Sequence, residues 1–234
     1  MSTSTQLEPI KVWGKGGPNP PKVAIVLKEL GIPHEITPIP LSDVKKPEYV
    51  SINPNGRIPA IQDPNTGITL WESGAILLYL VDRYDPGHRL GFAPGTAEWY
   101  HAQQWLFFQA SGQGPYYGQA AWFNKFHHER LPSAVERYVK EAHRVTSVLE
   151  GHLARQRETL GEEAIKASGG PWLVGNKLSY ADLAWVSWQL ILPMVVSADD
   201  GLDLAQYPVV TDWVARMNKR ESVRYGMGTS EELK

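Results

Sequence analysis

The hydrophobic pattern changes character part-way along the chain. Ile10-Lys11-Val12-Trp13 alternates apolar and polar residues, as a short half-buried strand does. The loop Gly14 to Pro21 is rich in Gly and Pro. Then Val23, Val26, Leu27 and Leu30 recur at i, i+3, i+4 and i+7, which predicts a helix opened by Pro20-Pro21 and stopped by Gly31, with Asn19 at its N-cap. His34-Glu35-Ile36-Thr37 predicts a second strand, and Asp43 to Ile52 a short helix or irregular turn. Ala60-Ile61-Gln62 and Ile68-Thr69-Leu70 flank a hairpin loop, Asp63 to Gly67, and Glu72 to Asp82 returns to helical spacing. Strand, helix, strand, then hairpin and helix describes a small α/β domain.

Past the turn-rich stretch Asp85 to Gly95 the pattern is helical throughout. Helices are predicted for Thr96 to Phe108, for Tyr116 to Phe126 beyond an interruption at Gly112, Gly114 and Pro115, and for the long amphipathic stretch Pro132 to Leu160. Ala164 to Gly170 reads as a loop of small residues. Ser179 with Asp182 forms a variant capping box before the apolar run Leu183 to Leu192, Tyr207-Pro208 to Met217 is a last strong helix, and Gly226 onward is a loose tail.

Composition narrows the classes. The 234 residues allow one or two domains, and 42% hydrophobic with 21% charged residues is the balance of a soluble globular protein. A net charge of −2 gives no reason to expect a nucleic-acid partner, and no apolar run reaches the ~18 residues of a membrane span. Met1 to Glu8 is polar, unlike a secretory signal, and reads as a frayed tail; a cytoplasmic setting is the default. The chain has no cysteine, so any thiol chemistry has to come from a ligand, and no thiolate metal site exists.

Two features of the stretch Asn53 to Ile76 bear on chemistry. Ile58-Pro59 precedes the short strand; the plain reading is a trans Pro opening an edge strand, the other a cis bond that turns the Ile58 main chain outward. Glu72-Ser73 begins a helix. By itself the pair reads as a cap, yet an acid and a hydroxyl beside the positive end of a helix also suit the ammonium and carboxylate of an α-amino acid head.

Ile58-Pro59 and Glu72-Ser73 at this spacing resemble the glutathione site of the glutathione S-transferase family. The resemblance runs over residues 9 to 220 and is nearest to the branch holding the yeast nitrogen-regulator prion protein and bacterial glutathione-dependent disulfide-bond oxidoreductases. Pro18-Asn19, Asn53 to Ile61, Trp105 to Gln109, Gly114-Pro115, Gly118-Gln119 and Ala134 to Tyr138 carry it. It implies a thioredoxin-like glutathione-binding domain at 8–86 and an all-α domain at 95–225 carrying the electrophile site and part of a homodimer interface. It implies a cis bond at Pro59, glutathione as co-substrate, and glutathione contacts from Asn19, Arg57, Ile58, Pro59, Glu72, Ser73 and, from a second subunit, Arg137; for Arg137 an ordinary surface charge is the equal alternative. Lys45 and Lys46 offer charge for the glycyl carboxylate, although solvation is their plainer role.

The activity implied is conjugation of the glutathione thiolate to small hydrophobic electrophiles, of use in detoxification. Trp13 stands near where mammalian-type members place a Tyr and does not ionise, which leaves Asn19 as the expected side-chain donor to the sulfur. The branch pattern Pro-Asn-Gly is here Pro18-Asn19-Pro20, a departure that bears on thiol activation. Tyr116, Tyr117, Trp122, Phe123 and Trp188 are the aromatic candidates for the electrophile pocket, expected between the domains, with core packing as the alternative for each. A glutathione-dependent disulfide or peroxide reductase, or a regulatory binding module, is the other reading of the same site.

Overall fold

The computed structural model describes residues 6–229. The expected frayed start therefore falls largely on residues 1–5, outside the described ones. The chain divides into two units, the described parts of Met1–Gly87 with Glu221–Lys234, and His88–Arg220.

The first unit is a four-stranded mixed sheet in the order β2-β1-β3-β4, from β1 (Ile10–Trp13), β2 (His34–Thr37), β3 (Ala60–Asp63) and β4 (Ile68–Trp71). β1 runs parallel to β2, pairing Val12 with Ile36, and antiparallel to β3, pairing Val12 with Ile61. The parallel pair is joined by α1 (Pro20–Leu30), the crossover that a parallel connection requires. Ile10, Val12 and Ile61 of the sheet, Val23, Val26 and Leu27 of α1, and Ile76, Leu77 and Leu80 of α3 (Ser73–Tyr84) are all buried. Each such side chain withdrawn from water contributes about 1.5–3 kcal/mol. α2 is a single turn, Pro47–Val50.

Asp63 ties the hairpin to α3. Its side chain accepts from the hydroxyls of Tyr79 and Tyr84 and from the Asn65 amide. Burial pushes its carboxyl up, but these donors outweigh burial and hold it below the usual range.

The tail expected from Gly226 is preceded by a further helix, α9 (Glu221–Gly226), and α9 belongs to the first unit although the expected second domain ran to 225. It packs on α1: Lys28 pairs with Glu221 at 3.2 Å and Ser222 donates to Glu29. Gly226 is needed for this approach, since a Cβ there would stand 2.9 Å from the Pro21 carbonyl oxygen. The helix escapes a periodicity reading because it is only six residues long.

The second unit is helical: α4 (Ala97–Phe108), α5 (Gly114–Ala121), α6 (Pro132–Ser168), α7 (Tyr180–Val195) and α8 (Pro208–Asn218). Thr96 caps α4 by accepting from the Trp99 amide at 3.2 Å. The expected interruption near Gly112 is a widened π-helical turn, Gln109–Gln113, and a second one, Trp122–Phe126, follows α5. The loop expected at Ala164 to Gly170 is helical as far as Ser168; the break lies at Gly161, whose φ of 75° and ψ of 163° leave the helical region.

The capping box before α7 is present and forms the centre of this unit. Asp182, fully buried, accepts from the Ser179 amide and hydroxyl at 3.0 Å each, from the Leu173 amide at 3.0 Å and from the Trp213 indole at 3.2 Å. Burial pushes its carboxyl up to about 6 against those four donors. Trp185 and Trp213 are the largest fully buried side chains around it. Among the described residues no helix is long and apolar enough to cross a membrane.

Candidate functional site

Everything at the site follows from how three segments of the first unit end together. β1 ends at Trp13, and Gly14 follows with φ of 106°. A Cβ on Gly14 would lie 2.6 Å from the Ile58 Cβ, so glycine is what lets the segment 53–59 close against the end of β1. α1 begins at Pro20, directly after Asn19. α3 begins at Ser73, directly after Glu72.

The segment before β3 is held internally. The Asn53 side chain, buried, donates to the Arg57 carbonyl at 2.6 Å and accepts from the Asn55 amide at 3.0 Å. The Tyr49 hydroxyl donates to the same Arg57 carbonyl at 2.8 Å. The Ile58-Pro59 bond is cis, the form the family resemblance implies rather than the trans form that is the plain reading of the residues. The Ile58 main chain makes no hydrogen bond to any described residue, in a structure where most such groups are paired.

Around this edge lies a cavity of about 60 Å³ lined by Asn19, Asn53, Arg57, Ile58, Pro59, Glu72 and Ser73. A more open one of about 370 Å³, which shares Asn19, Arg57 and Ile58, extends past Gly16, Gly17 and Leu41 to Lys45. Six of the seven residues expected at the glutathione site thus line one hollow. The seventh, Arg137, belongs to the second unit, exposed on α6.

Two expected roles change. Asn19 does not cap α1: its backbone is helical, with φ of −93° and ψ of −43°, and its side chain makes no bond to the helix start. Pro20 and Pro21 have no N–H, and the Lys22 amide is taken by the Asn19 carbonyl at 3.2 Å, so the first turn of α1 presents its dipole but few donors. Glu72 does not cap α3 either. Its φ of 70° and ψ of 112° are rare for a residue with a side chain, and backbone held this way clusters at ligand sites. Asn55 Nδ2 lies 3.5 Å from Glu72 Oε1.

The aromatic candidates separate by burial. Tyr117 and Trp188 are core, correcting their place in a pocket lining. Tyr117 is 0% exposed, its hydroxyl hydrogen-bonded to Thr146 at 2.6 Å and to the Gln189 amide at 2.9 Å, with Trp188 edge-on at 6.2 Å. Burial pushes the Tyr117 hydroxyl up to about 12. Trp122 is 48% exposed, Phe123 stacks on Tyr138 at 5.5 Å, and Tyr116 lies 5.7 Å from the Arg144 guanidinium. Lys46 is paired with Asp43 at 2.8 Å, whereas Lys45 borders the larger cavity and donates to the Asn55 carbonyl at 2.7 Å.

Residue patterns did not single out Tyr49, Asn53 or Lys22. Tyr49 and Asn53 act through the Arg57 carbonyl, a pairing within one irregular segment that leaves no periodic trace. Lys22 is 2% exposed, with Nζ 3.5 Å from Ser73 Oγ; the available signal was a cation directly before the apolar run Val23 to Leu27. Among the described residues no group of His, Asp or Glu is placed to hold a metal ion.

The family model for the N-terminal domain of glutathione S-transferases matches residues 17–83, and that for the C-terminal domain residues 115–221. The chain belongs to the glutathione S-transferase family. The glutathione S-transferase-like protein tpcF of Aspergillus fumigatus is 60% identical over 222 residues, spanning 94% of this chain and 96% of that protein. Among solved structures, Ure2p in complex with glutathione has a TM-score of 0.83 at 39% identity, covering 93% of this chain and 97% of its own. The glutathione transferase URE2P8 of Phanerochaete chrysosporium, solved with oxidized glutathione, has a TM-score of 0.82 at 37% identity, covering 96% and 95%. The mixed sheet followed by a helical unit is the glutathione S-transferase fold of these structures, as the sequence implied.

Proposed function

We propose that this member of the glutathione S-transferase family binds glutathione along the Ile58 edge and joins its sulfur to small hydrophobic electrophiles. The observation that carries the reading is the unpaired Ile58 main chain beside Glu72 and Ser73 in one hollow. An extended peptide pairs there as a short added strand. Glu72 meets the α-ammonium of the γ-glutamyl head, while Ser73 and the positive end of α3 meet its carboxylate. Arg57 and Lys45, both exposed, border the larger cavity and suit the glycyl carboxylate. The glutathione bound to Ure2p supports the choice of ligand.

The reaction needs a thiolate near neutral pH from a thiol whose ordinary value is about 8.5. With no cysteine in the chain, the sulfur is the ligand's own. Asn19 supplies an amide donor that does not titrate, and the dipole of α1 adds to it. One unit of lowering is worth about 1.4 kcal/mol, within reach of one aimed donor and a dipole. The thiol proton leaves to solvent, the sulfur bonds to the electrophilic carbon, and a leaving group such as chloride departs. We further propose a homodimer in which Arg137 lies near the partner's site, an aromatic electrophile contact from Tyr116, Trp122 and Phe123, and a cytoplasmic, detoxifying role.

A second reading, thiol–disulfide exchange with a disulfide of glutathione, is favoured by the oxidized glutathione bound to URE2P8. Turnover of glutathione with an aryl chloride, run beside glutathione with hydroxyethyl disulfide, separates the two. Conjugation above the uncatalysed rate supports the first reading. Disulfide turnover without it supports the second, and glutathione binding with neither turnover leaves a regulatory module.

A further inference from the structure

Tyr49 carries a buried hydroxyl that the reaction described above does not use. It stands in the single turn α2, 4% exposed, in a buried cluster with Val44 and Ala60 and with its ring 6.4 Å from that of Trp13. The hydroxyl donates to the Arg57 carbonyl at 2.8 Å, and the Asn53 side-chain amide donates to the same oxygen at 2.6 Å. Two buried donors thus meet one oxygen, which has two lone pairs to offer. Turning that peptide plane over would leave both donors unpaired away from water, so the plane is fixed. The Arg57-Ile58 bond is trans, and in a planar trans peptide the N–H points opposite to the C=O. Holding the Arg57 oxygen toward Tyr49 and Asn53 therefore aims the Ile58 N–H away from them, and no main-chain group among the described residues accepts it.

We propose that Tyr49 is a positioning residue of the glutathione site: with Asn53, its hydroxyl holds and polarises the Arg57-Ile58 peptide, so that the Ile58 N–H is presented as a strengthened donor to the cysteinyl carbonyl of the ligand. This rests on the glutathione reading. In that reading Glu72 and Ser73 take the γ-glutamyl head at the smaller cavity, and Lys45 and Arg57 take the glycyl carboxylate at the larger one. Ile58 lines both cavities, so the middle residue of the tripeptide falls against it. Hydrogen bonds in a chain polarise one another, so each bond accepted by the Arg57 oxygen strengthens the donor at the other end of the same peptide unit. Two such bonds converge here, and one clamp sets both the direction and the strength of the Ile58 N–H. Val44 and Lys45, which border the larger cavity, lie just before α2, so the Tyr49 hydroxyl also ties the glycyl end of the site to its centre.

The test is an amide NMR titration of the full chain with two ligands. One is S-methylglutathione. The other, γ-glutamyl-S-methylcysteamine, keeps the head and the sulfur but has neither the cysteinyl carbonyl nor the glycine. Tyr49→Phe keeps the ring and removes the donor. We expect it to raise the Kd for S-methylglutathione about tenfold, the size of one lost hydrogen bond, and to leave the Kd for the shorter ligand unchanged. In the natural protein the Ile58 amide proton moves downfield with S-methylglutathione, as a proton entering a hydrogen bond does, and that movement shrinks in Tyr49→Phe. A folded Tyr49→Phe protein with unchanged Kd for S-methylglutathione, or with an equal loss for both ligands, overturns the proposal and leaves the glutathione reading standing. So does an Ile58 amide that stays in place when the natural protein binds S-methylglutathione. Natural protein that does not bind S-methylglutathione at all overturns both. Should Tyr49→Phe not fold, or the shorter ligand not bind, a ring fluorine beside the Tyr49 hydroxyl makes that hydroxyl the stronger donor: a larger downfield movement of the Ile58 amide then supports the proposal, and an unchanged one overturns it.

Discussion

The Asn53 side-chain amide donates to the Arg57 carbonyl across 2.6 Å, and this bond shapes the segment that presents Ile58 to the cavity. Asn53 is 2% exposed, so its loss leaves buried polar groups without a partner. Asn53→Ala is expected to lower stability by about 1–3 kcal/mol and, because the Ile58 edge loosens, to weaken glutathione binding about tenfold. Denaturant unfolding and titration with glutathione measure the two. Unchanged affinity in a destabilised protein would show that the Ile58 edge is held without Asn53.

Glu72 combines a strained backbone with a carboxylate that borders the cavity, its Oε1 3.5 Å from Asn55 Nδ2. At φ 70° and ψ 112°, a glycine fits where any side chain is strained. Glu72→Gly is therefore expected to keep or raise stability, by up to about 1 kcal/mol, while retention on glutathione resin is lost. Glu72→Ala loses retention without that gain. If both variants bind resin as the natural protein does, the head site lies elsewhere.

Asn19 is free of the capping role that its place before α1 suggests. Asn19→Ala is expected to raise the pKa of bound glutathione by about one unit, toward the ordinary thiol value, while its affinity changes little. Thiolate absorbance near 240 nm followed against pH is the measurement, roughly where a thiolate absorbs and a thiol does not. No movement of that pKa would pass the task to a backbone donor, to water or to the dipole of α1.

Lys22 makes stability depend on alkaline pH in a definite direction. Its folded value, about 7, lies below the ordinary lysine value of 10.5, so between the two the unfolded chain holds more protons. Stability from this group accordingly rises as pH rises from about 7 toward 10 and is at its lowest below 7. Lys22→Met, which has no proton to hold, is expected to be more stable than the natural protein by about 2 kcal/mol below pH 7, with the advantage shrinking through that window. Melting temperatures at pH 6, 7.5 and 9 check it. An equal difference at all three pH values would count against the buried amine.

Residue order alone determined a good deal. Alternation placed β1 and β2, helical spacing placed α1, α3 and α4, and Ser179 with Asp182 marked the start of α7, because each is a short-range consequence of which side chains must face water. Ile58-Pro59 and Glu72-Ser73 carried the likeness to the family at a fixed spacing. Tertiary structure alone decided that Asn19 and Glu72 are not caps, since a cap depends on the dihedral angles and not on the residue type. It also decided that Tyr117 and Trp188 are core while Trp122 is exposed, three aromatics that composition cannot tell apart. The return of α9 to α1, and the burial of Lys22 under Ser73, depend on residues far apart in the chain meeting in space. No local pattern records such meetings, because their energy comes from burial and from pairing across the fold.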